Sequence, residues 1–139
     1  MSYYDTKQAL IQRLTEIAIT GITASDIAYE NSDFDPSGKS VFISATFIPA
    51  TSEAKGKETL SLQEYRGIFQ VSVFVKLNSG DYDNTQLQIV DSVLSGFGYN
   101  TSTVYNTQTV QILESTVNSG SENESWFKRD ISIDYLTIY

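Results

Sequence analysis

At 139 residues and 40% apolar content, the chain has the size of one domain and enough apolar material for a real core. It carries 17 acidic and 9 basic side chains and neither histidine nor cysteine, which excludes disulfides, thiolate or imidazole metal sites and every histidine-based general base. A net charge of −8 disfavours a firm grip on phosphate backbones or anionic membranes.

The N-terminus, "MSYYDTKQALIQRL", has no apolar stretch after a basic start, so no signal peptide is expected. No apolar run approaches the ~18 residues of a membrane helix. Residues 5–18 predict the first helix instead. Lys7, Leu10, Ile11, Leu14, Ile17 and Ala18 recur at helical spacing, with Asp5 or Ser2 as cap and Gly21 just past the end.

"DIAY", residues 26–29, predicts a short strand. Next, Asp33, Asp35 and Ser37 alternate before Gly38, like the start of a calcium loop. Such a loop needs a bidentate Glu at its twelfth position, opening a helix. That position is Ser44, inside "VFISATFI", which alternates as a strand over 41–48. The Asp-Pro-Ser-Gly stretch therefore reads as a turn that feeds a strand.

Residues 50–64 show no clean period and read as a long polar loop. "YRGIFQVSVFVKL" then alternates strongly and predicts a strand, closed by the turn "NSGD". Residues 82–97 predict a second helix with Leu87, Val90, Val93, Leu94 and Phe97 in its stripe. "GFG", 96–98, follows a helix and reads as its termination, not as a nucleotide fingerprint. Residues 108–117 predict a strand in which Val110 and Ile112 are out of phase with Leu113 and Val117, as at a bulge. "NSGSENES" reads as a turn or loop, and residues 126–139 as a long last strand.

Strands in adjacent pairs between two helices predict one α+β domain over 1–139, a mostly antiparallel sheet of four to five strands packed with two helices. Asp130 and Asp134 share a face of the last strand, with Glu114 on a neighbour, and read as a solvated strand face. No catalytic, cofactor or metal site is predicted.

The informative feature is the second face of the sheet. Val41, Ile43, Phe69, Val71, Val73, Ile131 and Ile133 suit a face covered by two helices. The opposite register carries Phe42, Ile48, Ile68, Phe74, Trp126, Leu136 and Ile138, more large apolar groups than a half-wet sheet needs. Either copies of the chain associate through this face, or the helices sit on opposite faces, or the sheet folds on itself.

"IAYENSDFDPSGKSVFIS" (with Tyr29, Glu30, Asn31, Phe34 and Pro36), "GIFQVSVFVKLNSGD" (with Gly67, Phe69 and Gly80), an amphipathic helix ending in Phe97 and an aromatic-rich final strand occur in this order. In this the chain resembles the small phage tail terminator and tail-completion family over essentially its whole length. The resemblance implies a homo-oligomeric ring, commonly a hexamer, at the head-proximal end of the virion tail, assembled in the host cytoplasm. Such a ring ends polymerisation of the tail tube protein and offers a surface to the head–tail connector. DNA passes through without being read. The implied subunit or tube contacts are Glu53, Lys55, Lys57, Glu58, Glu64 and Arg66, in or beside the 50–64 loop, together with Phe42, Phe74, Trp126, Leu136 and Ile138. A neck or head-completion protein, and a small binding module unrelated to virions, are the alternative readings.

Overall fold

The computed structural model describes residues 3–54, 63–77 and 84–138, with backbone alone at 50–54, 63 and 123. The chain runs α1 (Tyr3–Glu16), a 3-10 turn (Ala24–Asp26), β1 (Ile27–Tyr29), β2 (Val41–Ala54), β3 (Gln63–Lys76), α2 (Asn84–Gly96), β4 (Ser102–Tyr105), β5 (Gln108–Val117), β6 (Ser121–Asn123) and β7 (Trp126–Ile138). The α+β class holds, but the sheet is larger than expected. Seven strands lie in the order β1-β2-β3-β7-β5-β4, with β6 also on β7. It is also mixed, because β1 pairs parallel to β2 while every other pair is antiparallel.

The additional strands come from stretches read as polar connections. β4 and β5 are joined by Asn106 and Thr107, both with positive φ, a two-residue turn of the kind that matches strand twist. The usual glycine signal of that turn is missing, so its strands are hard to read. The 50–64 loop is likewise corrected. β2 continues through Ala54 and β3 starts at Gln63, with Glu53 opposite Glu64. Pro49 lies inside the register shift between Ile48 and Thr51. It has no N–H to give the ladder, and polar side chains follow it, so the alternation stops while the strand goes on. Residues 55–62 lie outside the described residues.

Both helices pack on one face of the sheet. α1 contributes Ala9, Leu10 and Leu14; α2 contributes Ile89 and Val93, with Phe97 just beyond it. Beneath them lie Ile43, Phe69, Val71, Val73, Val110, Ile112, Ile131, Ile133 and Tyr135, all essentially sealed from water. Ridge and strand positions thus match the alternating register read from the sequence. The helices meet where Gly96 lies against Ile17; a Cβ there would come within 2.5 Å of the Ile17 side chain. Arg13 Nε donates to the Gly96 carbonyl at 2.9 Å, closing that contact with a charge-assisted bond.

Leu87, expected in the buried stripe, is 39% exposed, and Gln86 takes the inward place. Its Nε2 donates to the carbonyls of Val73 and Phe127, each at 3.0 Å, and its Oε1 accepts from Arg129 Nε at 3.2 Å. Gln108 is buried in the same way, donating to Thr6 and to Thr137. A buried amide is tolerated only where its bonds are made, so these two glutamines fix where each helix sits on the sheet.

Candidate functional site

With both helices on one side, the other face of the sheet carries no helix among the described residues, and strand register sets its side chains in rows. Phe42, Phe74 and Lys128 form one row; Ser44, Ser72 and Asp130 the next; then Thr46, Gln70 and Ser132; then Ile48, Ile68 and Asp134. Arg66 pairs with Leu136, and Glu64 with Ile138, at the far end. The face thus has two apolar ends separated by a polar band.

The aromatic end is completed within the chain. Phe42 stacks on Phe74 at 4.5 Å, meets Trp126 edge-on at 4.8 Å and touches Phe34 at 5.1 Å. Phe34 arrives on the 30–40 turn segment. There Asp35 accepts bonds from the Ser37 N–H and hydroxyl, and Gly38 takes φ +80°. This is the turn geometry expected of Asp, Pro and Gly, with Asp35 bound to its neighbour. Lys39 anchors the segment: its Nζ lies over the Phe34 ring and 2.7 Å from Asp26 Oδ1. That hydrogen bond, with those from Thr23, holds the Asp26 carboxyl below the usual carboxylate range. Phe42 is consequently buried, and Phe74 and Trp126 are half-buried, in a small second core.

In the polar band, Ser72 donates to Asp130 at 2.6 Å, Asn118 Nδ2 donates at 3.2 Å, and Lys128 lies at 3.6 Å. Asp134 shares the face but stands four residues along an extended strand, roughly 13 Å away. Glu114 is exposed, inside the bulge that shifts β5 between Ile112 and Ser115. The three carboxylates therefore do not converge. Among the described residues no cluster of three or more acidic side chains is placed to hold a metal ion.

Among the described residues the far end is open. Ile48 is 39% and Ile138 45% exposed, and Ile68 and Leu136 are half-buried. Ile48, Pro49, Arg66, Ile68, Leu113 and Asp134 line a concavity of about 360 Å³. Glu64 is buried at this rim and ion-pairs with Arg66, whose own side chain is 63% exposed. Of the other residues expected at contacts, Lys55, Lys57 and Glu58 lie outside the described residues. Glu53 has its backbone in β2 and its side chain outside the description. The concavity itself was partly legible. Leu113 is the out-of-phase residue of β5, and the bulge is what turns it away from the core that holds Val110 and Ile112.

A family model for phage tail terminator proteins matches residues 5–135. The chain belongs to the phage tail terminator family. A role in the virion tail follows from that membership, and the family's role is structural. One solved structure bearing only a sequence label is similar to this terminator chain, with 20% identity, a TM-score of 0.73, and coverage of 99% of this chain and 96% of the other. At that identity the likeness speaks for the fold. No curated protein matches the chain.

Proposed function

We propose that copies of this terminator chain assemble into a ring, commonly a hexamer in the reading given above, that caps the head-proximal end of the tail tube. The ring ends tube polymerisation on one side and presents a surface to the head–tail connector on the other. Its role is structural, with no cofactor. The observation that carries this reading is the sheet covered by helices on one face only, with Ile48, Ile68, Leu136 and Ile138 left accessible at the far end of the other. Apolar surface of this kind marks an interface. An acidic chain, at −8, also suits a conduit through which DNA passes without being held.

Two measurements test the proposal. Light scattering across concentration, with and without magnesium, is expected to show a discrete oligomer, and electron microscopy an annular particle. Purified protein added to polymerising tube subunits is expected to shorten the tubes. A strict monomer in every condition, or tubes of unchanged length, overturns it.

A further inference from the structure

Tyr99 is the most exposed large apolar side chain among the described residues, at 84%, and makes no hydrogen bond or ring contact to any of them. Yet the turn beneath it is held tightly. The Asn100 N–H donates to the Ile112 carbonyl at 2.9 Å, the Thr101 N–H to the Gly98 carbonyl at 3.1 Å, and the Ile112 N–H to the Thr101 carbonyl at 2.8 Å. Phe97, two residues earlier, is sealed in the core. A tyrosine presented on fixed backbone is the form an interface anchor takes, because little conformational freedom is lost when it docks.

The concavity at the far end has the matching chemistry. Ile48, Pro49, Ile68 and Leu113 give it apolar walls within about 360 Å³. Asp134 borders it with no side-chain hydrogen bond or ion pair to any described residue. Arg66 gives one N–H to Glu64 and keeps the rest of its fork in solvent. A guanidinium stacks on an aromatic face, and a carboxylate accepts strongly from a hydroxyl. Tyrosine has the apolar body and the single donor tip that these groups call for. An acidic side chain is repelled by Asp134, and an aliphatic one leaves that carboxylate without a donor.

Tyr99 does not fill the concavity of its own copy. A ring seated there could not be 84% exposed, and Tyr99 borders a different groove, beside Leu94 on the other side of Leu113. Anchor and concavity nevertheless belong to one chain, so a second copy supplies each with its complement. Copies that each carry a net charge of −8 repel, and a phenol adds no charge beside Asp134.

We infer that Tyr99 of one copy seats in the far-end concavity of the next, its ring among Ile48, Ile68 and Leu113, its face against the Arg66 guanidinium and its hydroxyl donating to Asp134. Anchor and concavity are different surfaces, so the contact is heterologous and repeats around an axis, as closed rings require. The inference rests on the ring reading above and names the contact that would build it.

Analytical ultracentrifugation reads the association. Tyr99→Ser is expected to weaken it about tenfold or more, with Tm unchanged because the ring stands in water in the single copy. Tyr99→Phe keeps the ring and is expected to cost about fivefold. In a double-mutant cycle, Tyr99→Phe and Asp134→Ala are expected to be less than additive, since each removes the same hydrogen bond. A photoreactive benzophenone side chain at Tyr99, in a mixture of isotope-labelled and unlabelled copies, is expected to label residues 48–49 or 66–68 of a different copy and to give multimers beyond the dimer. Unchanged association of Tyr99→Ser, strictly additive losses, or crosslinks confined to one copy or to dimers overturns the contact. If wild-type rings are nonetheless seen by microscopy, the ring reading stands and only this contact falls. A wild-type monomer in all conditions removes both.

Discussion

Gly67 offers the sharpest test of the packing. It lies within β3, where replacing glycine by alanine normally helps by about 0.5–1 kcal/mol, since alanine loses less backbone freedom. Here a Cβ would stand 2.6 Å from Tyr135 Oη, 2.8 Å from Tyr135 Cζ and 2.7 Å from the Ile48 carbonyl oxygen. Tyr135 is 1% exposed and stacked 5.7 Å from Phe47, so its ring has little room to yield. The carbonyl belongs to the residue at which the β2–β3 register shifts, and moving it disturbs the ladder. Overpacking of this kind costs about 1–3 kcal/mol, with rigid backbone as the obstacle placing it near the upper end. Set against the gain in propensity, Gly67→Ala is expected to lose about 2 kcal/mol, or roughly 6–10 °C in Tm for a domain of this size. Urea unfolding followed by far-UV circular dichroism measures it, with the midpoint falling at constant slope. Adding Tyr135→Phe removes only the hydroxyl contact and is expected to recover part of the loss. If Gly67→Ala equals or exceeds the wild type in stability, the close approach deduced for this strand is wrong.

Gln86→Leu leaves the carbonyls of Val73 and Phe127 without this donor and is expected to cost about 2–3 kcal/mol, whereas Gln88→Leu on the exposed side of α2 is expected to stay within about 0.5 kcal/mol; matched urea curves decide. Thr107 holds φ +70° in the β4–β5 turn, a costly conformation for a β-branched residue, so Thr107→Gly is expected to stabilise by about 0.5–1 kcal/mol, and a lower Tm refutes it. The Asp26 carboxyl is depressed by Lys39, so its contribution is present above the unfolded carboxylate pKa and disappears as pH falls through the lower folded one. The stability gap between wild type and Asp26→Asn should therefore hold from neutral pH down to about 4 and narrow below it; a gap constant down to pH 3 contradicts this.

What the sequence made legible, and what it hid, divides along physical lines. The long elements announce themselves because one face is fully dry. β3 sets Phe69, Val71, Val73 and Val75, all buried, on one face, and α1 repeats Leu10 and Leu14 at helical spacing. Single-sided coverage of the sheet was one of the arrangements the sequence left open, since two helices suffice for one face. Three features were hidden for three reasons. β4 depends on a turn without glycine, and its own residues alternate between exposed and half-buried, leaving little apolar signal. The outer parts of β2 and β3 are held by pairing of polar residues, so periodicity carries no information there. Gln86 replaced Leu87 in the stripe because the buried position needs a donor for two sheet carbonyls, a demand invisible until the strands are in place.

The same division bears on how the candidate surface can work. Phe42, Phe74 and Trp126 looked equivalent to Leu136 and Ile138 in the linear pattern, since all five share one register. In the fold they differ, because the Phe34 segment has already closed over the aromatic end. Their truncation acts on stability first, as cavity formation does in any core. At the far end no described residue supplies such a cover. Ile48 and Ile68 line a groove whose walls are set by strands pinned from the other side by the core, so a substitution there is expected to leave the fold in place. The proposed assembly role requires that separation: a monomer stable by itself that keeps one apolar surface for its neighbours. The position of Asp134 within that surface adds direction, since a bare carboxylate disfavours another acidic copy in any orientation that does not bring a hydrogen-bond donor to it.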